Sequence, residues 1–286
     1  MKNNSINYMI KIIFLCILLI IPGCTIPQEY EENDLILATT TSMQDSGLLG
    51  VIIPIFNERY NVEVKVVAVG TGAALRLGEN GDADLLIVHA PDKEVSFIEQ
   101  GYGKSRATFA WNRFILIGPT DISNNNNIST AFNTAIDSCF ISRGDESGTH
   151  IKEQEIWQQT NLELVEDDLG IHPTDDNFIS IGNGMGVALN MADELNCFTL
   201  SDAGTYYHQK QTTDLVASTF NDTITINPYS VIQLSKTPKS NLSAQFENFL
   251  LSQEIQLLIS EYTIDENSLF IAGQPNQVPS SNNGSA

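Results

Sequence analysis

Four short stretches of this 286-residue chain carry residue types suited to holding an anion. The first is Thr39-Thr40-Thr41-Ser42, followed by Met43-Gln44-Asp45-Ser46-Gly47. It joins an apolar segment that reads as a strand, 35–39, to one of helical character, 48–60. A strand-to-helix junction leaves backbone N–H groups unpaired at the positive end of the helix dipole, which favours anions. The hydroxyls add neutral donors. Helix capping by Ser42 or Asp45 is the plainer reading, but one residue suffices for a cap.

The second stretch is Gly70-Thr71-Gly72, again between a strand and a helix. Its glycines let backbone amides approach a ligand, and Thr71 adds a hydroxyl. It is not a dinucleotide fingerprint, because Leu75 stands where the third glycine belongs, and it lacks the Gly-Lys-Ser/Thr of a P-loop. The third is Ser142-Arg143-Gly144-Asp145-Glu146-Ser147-Gly148-Thr149-His150. Arg143, one of five arginines, follows an apolar strand and offers a rigid fork of donors suited to an oxyanion. The alternative is a surface pair with Asp145 or Glu146, worth little energetically. The fourth, Gly182-Asn183-Gly184-Met185-Gly186, is another glycine-rich helix start, for which close packing is an equal explanation.

Helix N-termini converging with one arginine and several hydroxyls describe a binder of a small, fully ionised oxyanion. Each helix end contributes about 0.3–1 kcal/mol when exposed and up to ~2 when partly buried. An arginine bond to a charge contributes about 1.5–3 kcal/mol. Micromolar affinity needs about −8 kcal/mol, within reach if the site closes and excludes water.

The elements that must position these stretches alternate along the chain. Strands are expected at 35–39, 62–69, 84–89, 114–117, 139–142, 178–181, 197–200 and 227–234. Helices are expected at 44–60 (interrupted by Pro54), 72–78, 92–100, 129–135, 149–160, 185–195, 203–209 and 245–262. Such alternation predicts an α/β fold with mostly parallel sheets. Two blocks, 35–118 and 119–226, suggest two lobes, with 227–273 returning to the first and the ligand in the cleft between them.

Composition narrows the function. Hydrophobic residues make up 42% of the chain, enough for a real core, and a net charge of −21 argues against nucleic-acid binding. Lys2 and Lys11, the apolar run 12–21 and Pro22-Gly23-Cys24 read as an export signal ending at a lipoprotein processing site, so 1–24 is leader and Cys24 the lipid attachment point. A tether at 25–34 and a loose tail at 274–286 complete the chain. Cys139 and Cys197 each open a short apolar run. A disulfide between them and two buried free thiols are both open, since sequence cannot place their Cα atoms. Neither has His or Cys clustered near it, so no metal site is expected.

Taken together, Ala38-Thr39-Thr40-Thr41-Ser42, Val69-Gly70-Thr71-Gly72, Gly78-Glu79-Asn80-Gly81-Asp82-Ala83-Asp84 with Val88-His89, Ser142-Arg143-Gly144-Asp145-x-Ser147-Gly148-Thr149-His150 and Asn227-Pro228-Tyr229 resemble the tungstate-binding proteins of ABC importers, from about residue 35 to 262. The resemblance implies a two-lobed type II periplasmic-binding-protein-like fold and high-affinity capture of tungstate, with molybdate alongside. It implies no catalysis, no cofactor and no metal beyond the oxyanion itself. It also implies delivery to a membrane permease and its ATPase by a monomer anchored through lipid to the outer face of the cytoplasmic membrane. The ligand residues it implies are Thr40, Thr41, Ser42, Thr71, Gly72, Ser142, Arg143, Ser147, Gly148 and Thr149, with Thr39, Gly70, Gly184 and Gly186 beside them. Met43 stands where the family often has a small hydroxyl residue and is left out. Arg143-x-x-x-Ser147-Gly148-Thr149 also resembles phosphate-binding relatives, so molybdate, sulfate and phosphate stay open as cargo.

Two other classes compete. A sensor domain would present the bound anion to a partner. A hydrolase would combine Ser42 or Ser147 with His150 and Asp145. Neither serine lies in Gly-x-Ser-x-Gly, His150 reads as an exposed first-turn residue, and His89 reads as structural.

Overall fold

The first block of the chain opens on the apolar run 35–38. β1 (Asp34–Thr40) runs directly into α1 (Thr41–Asp45), and Ser46-Gly47 turns the chain into α2 (Leu48–Tyr60). β2 (Glu63–Val69), α3 (Thr71–Asn80), β3 (Leu85–Val88) and α4 (Pro91–Glu99) follow. A 16-residue strand, β4 (Gly103–Gly118), leads to α5 (Ile128–Ile136), β5 (Phe140–Ser142) and α6 (Gly148–Trp157). Next come β6 (Leu164–Asp167), β7 (Gly170–Pro173), β8 (Phe178–Ser180), α7 (Met185–Leu195), β9 (Phe198–Asp202) and α8 (Ala203–Gln209). The chain closes with β10 (Val216–Ser218), β11 (Ile226–Leu234), α9 (Ser240–Leu250), α10 (Gln253–Glu261) and the short β12 (Thr263–Ile264), β13 (Asn267–Ser268) and β14 (Ile271–Ala272).

This computed structural model describes residues 34–275. The expected leader with Cys24, tether residues 25–33 and tail residues 276–286 lie outside the described residues. Asp34, placed at the end of the tether by sequence, opens β1.

Ten strands form one sheet in the order β2-β1-β3-β11-β4-β9-β5-β8, with β10 and β14 also on β4. The flanks are parallel: β1 lies between β2 and β3, and β5 between β9 and β8. The centre is antiparallel, with β11 between β3 and β4 and β4 against β9. β4 pairs with β11 up to Arg113 and with β9 from Phe114, so one strand carries the chain across the sheet. In each parallel flank the helices start at the strands' carboxyl ends, where α/β sheets bind ligands.

Packing follows the same division. Phe56, Phe246 and Phe249 from α2 and α9 cover the β1 side, with Phe56 and Phe246 rings 4.8 Å apart. Phe132, Phe140 and Trp157 close one face of the β5 flank, with Phe132 and Trp157 4.6 Å apart, and Met185, Leu189 and Tyr206 cover the other. Cys139 and Cys197 form a disulfide that ties the entrances of β5 and β9. Among the described residues no helix is long and apolar enough to cross a membrane.

Several elements differ from the sequence reading. The helix expected at 44–60 breaks at Gly47, which takes φ +75°, and not at Pro54, which lies inside α2. Pro54 and Gly50, whose carbonyl it cannot bond, are both exposed, so water can take up that acceptor. The strand expected at 114–117 begins eleven residues earlier. Its polar residues meet partners: Arg106 reaches Glu94 at 2.6 Å, and Thr108 meets Ser230 at 3.1 Å. The helix expected at 245–262 is two helices, the second capped by Ser252. The β6–β7 hairpin, β10 and β12–β14 were not read from sequence.

Candidate functional site

Parallel register brings the first two stretches together. Thr40 pairs with Val69, so the start of α1 and the start of α3 lie side by side at one sheet edge. In the other flank Ser142 pairs with Ser180, which sets the Arg143 loop beside the turn at Ile181-Gly182. That turn holds the loop from both directions: Ile181 donates to the Ser142 carbonyl and Asn183 to the Arg143 carbonyl. Gly144 adopts φ +60°, and a Cβ there would fall 2.0 Å from Ser180 Oγ, so only glycine lets Arg143 turn back against the strand.

The two edges meet. His89, just after β3, packs against Gly148, the first residue of α6: a Cβ on Gly148 would lie 2.8 Å from His89 Cε1. Arg143 and Asp45 also feel one another. Burial and the nearby Asp202 push the Asp45 carboxyl up, while Arg143 and His208 pull it down.

Among the donors at these strand ends, Thr71 Oγ1, Arg143 Nη1 and Thr149 Oγ1 are buried and have no acceptor. Their residues are 1%, 3% and 1% exposed. A buried unmet polar group costs about 1–3 kcal/mol, and such groups in native proteins ask for a partner. The rest of the guanidinium is held by Asp145, whose Oδ2 accepts from Nε at 3.2 Å and Nη2 at 2.5 Å. Asp145 Oδ1 accepts from the Ser147 amide at 3.2 Å, so one carboxylate fixes both the arginine and the loop.

The other expected ligand residues take different positions. Ser147 caps α6, accepting from the His150 amide at 3.3 Å, and Thr40 caps α1, accepting from the Met43 amide at 3.2 Å. Both remain buried with their neighbours Gly148 and Ser42, whereas Thr41 and Gly72 are half-buried. Ser142 is fully buried beside the Glu153 carboxyl. Thr39 is turned away, its hydroxyl donating to the Ile87 carbonyl at 2.9 Å. Gly70 and Gly184 are exposed helix starts without a side-chain cap, and Gly186 is half-buried beside Gln209.

His150, read as exposed, is buried. Its Nδ1 accepts the Glu146 amide at 3.1 Å, and Ser147 Oγ serves the helix cap, so the two do not form a nucleophile–base pair. Glu153 on α6 is buried next to Trp157 Nε1, which donates to its Oε1 at 3.2 Å; burial pushes its carboxyl up to about 8.

One polar network beside these residues was not read from sequence. His89 Nδ1 lies 2.9 Å from Asn227 Oδ1; Asn227 Nδ2 reaches Asn112 Oδ1 at 2.9 Å and Tyr229 Oη at 3.0 Å; Asn112 Nδ2 reaches Asp202 Oδ1 at 3.3 Å. This chain of buried polar groups runs through β11 and β4 to β9, across the centre of the sheet. Its signal was present in Val88-His89, where His89 was read as structural, and in Asn227-Pro228-Tyr229, which stood in the motifs without an assigned role.

Comparison with known proteins bears on this arrangement. Residues 27–254 match the family model described as a PBP superfamily domain. The chain is 39% identical over 264 residues to a tungstate-binding protein TupA of Peptoclostridium acidaminophilum, covering 85% of this chain and 89% of that one. A solved tungstate-binding protein TupA from Desulfovibrio alaskensis superposes with a TM-score of 0.70 at 32% identity, covering 84% of this chain and 98% of the other. The structure titled as the tungstate ABC transporter from Geobacter sulfurreducens gives a TM-score of 0.70 at 36% identity, covering 81% and 99%.

Proposed function

The chain belongs to the PBP superfamily and, within it, to the family of the tungstate-binding proteins, and we propose that it is the solute-binding component of an ABC importer for tungstate. The observation that carries the reading is that the donors Thr71 Oγ1, Arg143 Nη1 and Thr149 Oγ1 are buried without acceptors. Tungstate is a tetrahedral dianion whose four oxygens only accept hydrogen bonds at neutral pH. A site for it needs donors on several sides, and the carboxylate that orients the arginine must not face the anion unpaired. Asp145 meets that condition because the guanidinium and the Ser147 amide already occupy it. The first turn of α6 adds backbone N–H groups and dipole.

In this reading Thr40, Thr41, Ser42, Thr71 and Gly72 come from one lobe (35–118 with 227–273). Ser142, Arg143, Ser147, Gly148 and Thr149 come from the other (119–226). Closure between them excludes water and strengthens each charge-assisted bond. Thr40 and Ser147 contribute mainly by holding their helix starts. The protein carries no reaction of its own: it is exported, held to the membrane through Cys24, and hands the anion to a permease driven by an ATPase. Molybdate, of the same shape and charge, is the second cargo the donor set accommodates.

The test is titration with sodium tungstate followed by the fluorescence of Trp111 and Trp157, in the protein and in Arg143→Ala. Saturable binding that weakens at least about tenfold in the variant, the loss of one bond to a charge, supports the reading. Equal affinity in the two removes Arg143 from the site.

A further inference from the structure

His89 is the buried side chain at the junction whose free atom is an acceptor and not a donor. The direction of the polar chain fixes this. Both oxygens of Asp202 already accept from Thr205, Oδ1 from its amide and Oδ2 from its hydroxyl, so Asn112 presents Nδ2 to Oδ1 and its own Oδ1 to Asn227. Asn227 therefore presents Nδ2 to Asn112 and Tyr229, which leaves its Oδ1 for His89. Nδ1 of His89 must carry the proton. Burial pushes the ring's affinity for a second proton down, so in the ligand-free protein Nε2 is a bare lone pair, and it has no partner.

The ring cannot turn away. Tyr229 lies against it at 4.8 Å between centroids, Phe114 stands at 6.5 Å, and Gly148 abuts its Cε1 edge. The parallel register pairs Thr39 with Ile87, so His89, just past β3, lies at the same end of the sheet as the start of α1. The imidazole thus stands between the anion-facing start of α1 and the first turn of α6. A fully ionised oxyanion brought there offers only lone pairs, which a lone pair on Nε2 repels.

We propose that His89 is itself a ligand of the bound oxyanion and binds as the imidazolium, so that capture of the dianion draws one proton from solvent onto Nε2, which then donates to an anion oxygen. The inference rests on the anion-site reading above. The charges around the ring fit the step. Asp202, through Asn112 and Asn227, favours the cation, and Arg143 opposes it until the dianion sits between them. Asp92 and Lys93 of α4 and Lys152 and Glu155 of α6 line the groove outside His89 with equal numbers of each sign. An anion that keeps a proton, such as hydrogenphosphate, would donate to neutral Nε2 and take up none.

The experiment is calorimetric titration of the full-length protein with sodium tungstate at pH 7.0 in buffers of different ionisation enthalpy. The slope of observed heat against that enthalpy counts protons taken up. At this pH Glu153, with its carboxyl pushed up to about 8, is already mostly protonated and adds little. The expected slope is near one proton per anion, falling to near zero in His89→Gln, whose amide supplies a permanent donor. Tungstate heat with no slope, or an unchanged slope in the variant, overturns the role of His89 while leaving the cargo intact. No heat with tungstate overturns the cargo and this inference together. Ring 15N shifts of His89 in the unmutated protein give a second readout independent of the variant's folding: tungstate should convert one bare nitrogen to imidazolium, and an unchanged pair of shifts contradicts the proposal.

Discussion

Asp145 grips Arg143 through one oxygen, Oδ2, which takes both Nε and Nη2 and leaves Nη1 buried and free. The carboxylate orients the arginine without consuming it. Arg143→Lys keeps the charge and loses the fork. Its tungstate affinity should fall about tenfold or more, on the scale of one charged hydrogen bond. Asp145→Asn should weaken binding less than Arg143→Ala, because the guanidinium stays. Dissociation constants for the three variants check the ranking.

Thr149→Val separates a ligand role from a structural one by sign. Val fills the same shape without the unmet hydroxyl. The ligand-free protein should gain about 1 kcal/mol against urea, while tungstate affinity falls by a similar amount. A merely structural threonine would lose stability and leave affinity alone. Denaturation curves and tungstate titrations of the same preparation give both numbers.

Gly148→Ala tests the contact with His89. Helix propensity alone would make alanine stabilising at this position. The new Cβ would instead meet a ring held by Tyr229, with 2.8 Å to Cε1. Overpacking of this kind costs about 1–3 kcal/mol, so urea denaturation should show a loss, with weakened tungstate binding beside it.

Much of this was legible in the sequence because it is local. Thr39–Ser42, Gly70–Gly72 and Ser142–Thr149 announce themselves as strand-to-helix junctions, and each is one. What was not legible depends on partners far along the chain. Asn112 and Asn227 are 115 residues apart, and nothing local shows that they meet. The first eleven residues of β4 look polar until Glu94 and Ser230 are placed against them. The break before α10 has only Ser252 to mark it, with no Gly or Pro. Among the junction residues, hydroxyl type alone could not say that Thr39 is spent on Ile87 while Thr71 stays free.

Glu153 gives the protein a pH dependence with a defined sign. Burial holds its carboxyl protonated in the folded state up to about 8, against an ordinary value of 4.5. Between these values the unfolded chain binds fewer protons than the folded one, so stability falls as pH rises, by at most about 1.4 kcal/mol per pH unit. Below 4.5 the contribution is complete, and above about 8 the loss levels off. Glu153→Gln should flatten the curve, and urea midpoints from pH 5 to 9 for both proteins measure it.

The disulfide closes a separation of 58 residues between the entrances of β5 and β9. Reduction, or Cys139→Ser with Cys197→Ser, should cost about 2–4 kcal/mol. Tungstate affinity should hardly change under conditions where the fold persists, because the bond lies at the opposite ends of those strands from Arg143. Denaturant midpoints with and without reductant measure the first, and titration measures the second.

Thermal unfolding with tungstate, molybdate, sulfate and phosphate in turn tests the central claim most directly. Ligand at 100 times its dissociation constant stabilises by about 2.7 kcal/mol, which should raise the midpoint of a chain this long by several degrees. A rise with tungstate, alone or with molybdate, that disappears in Arg143→Ala is the predicted result. A rise with sulfate or phosphate alone, or with no anion at all, would contradict it.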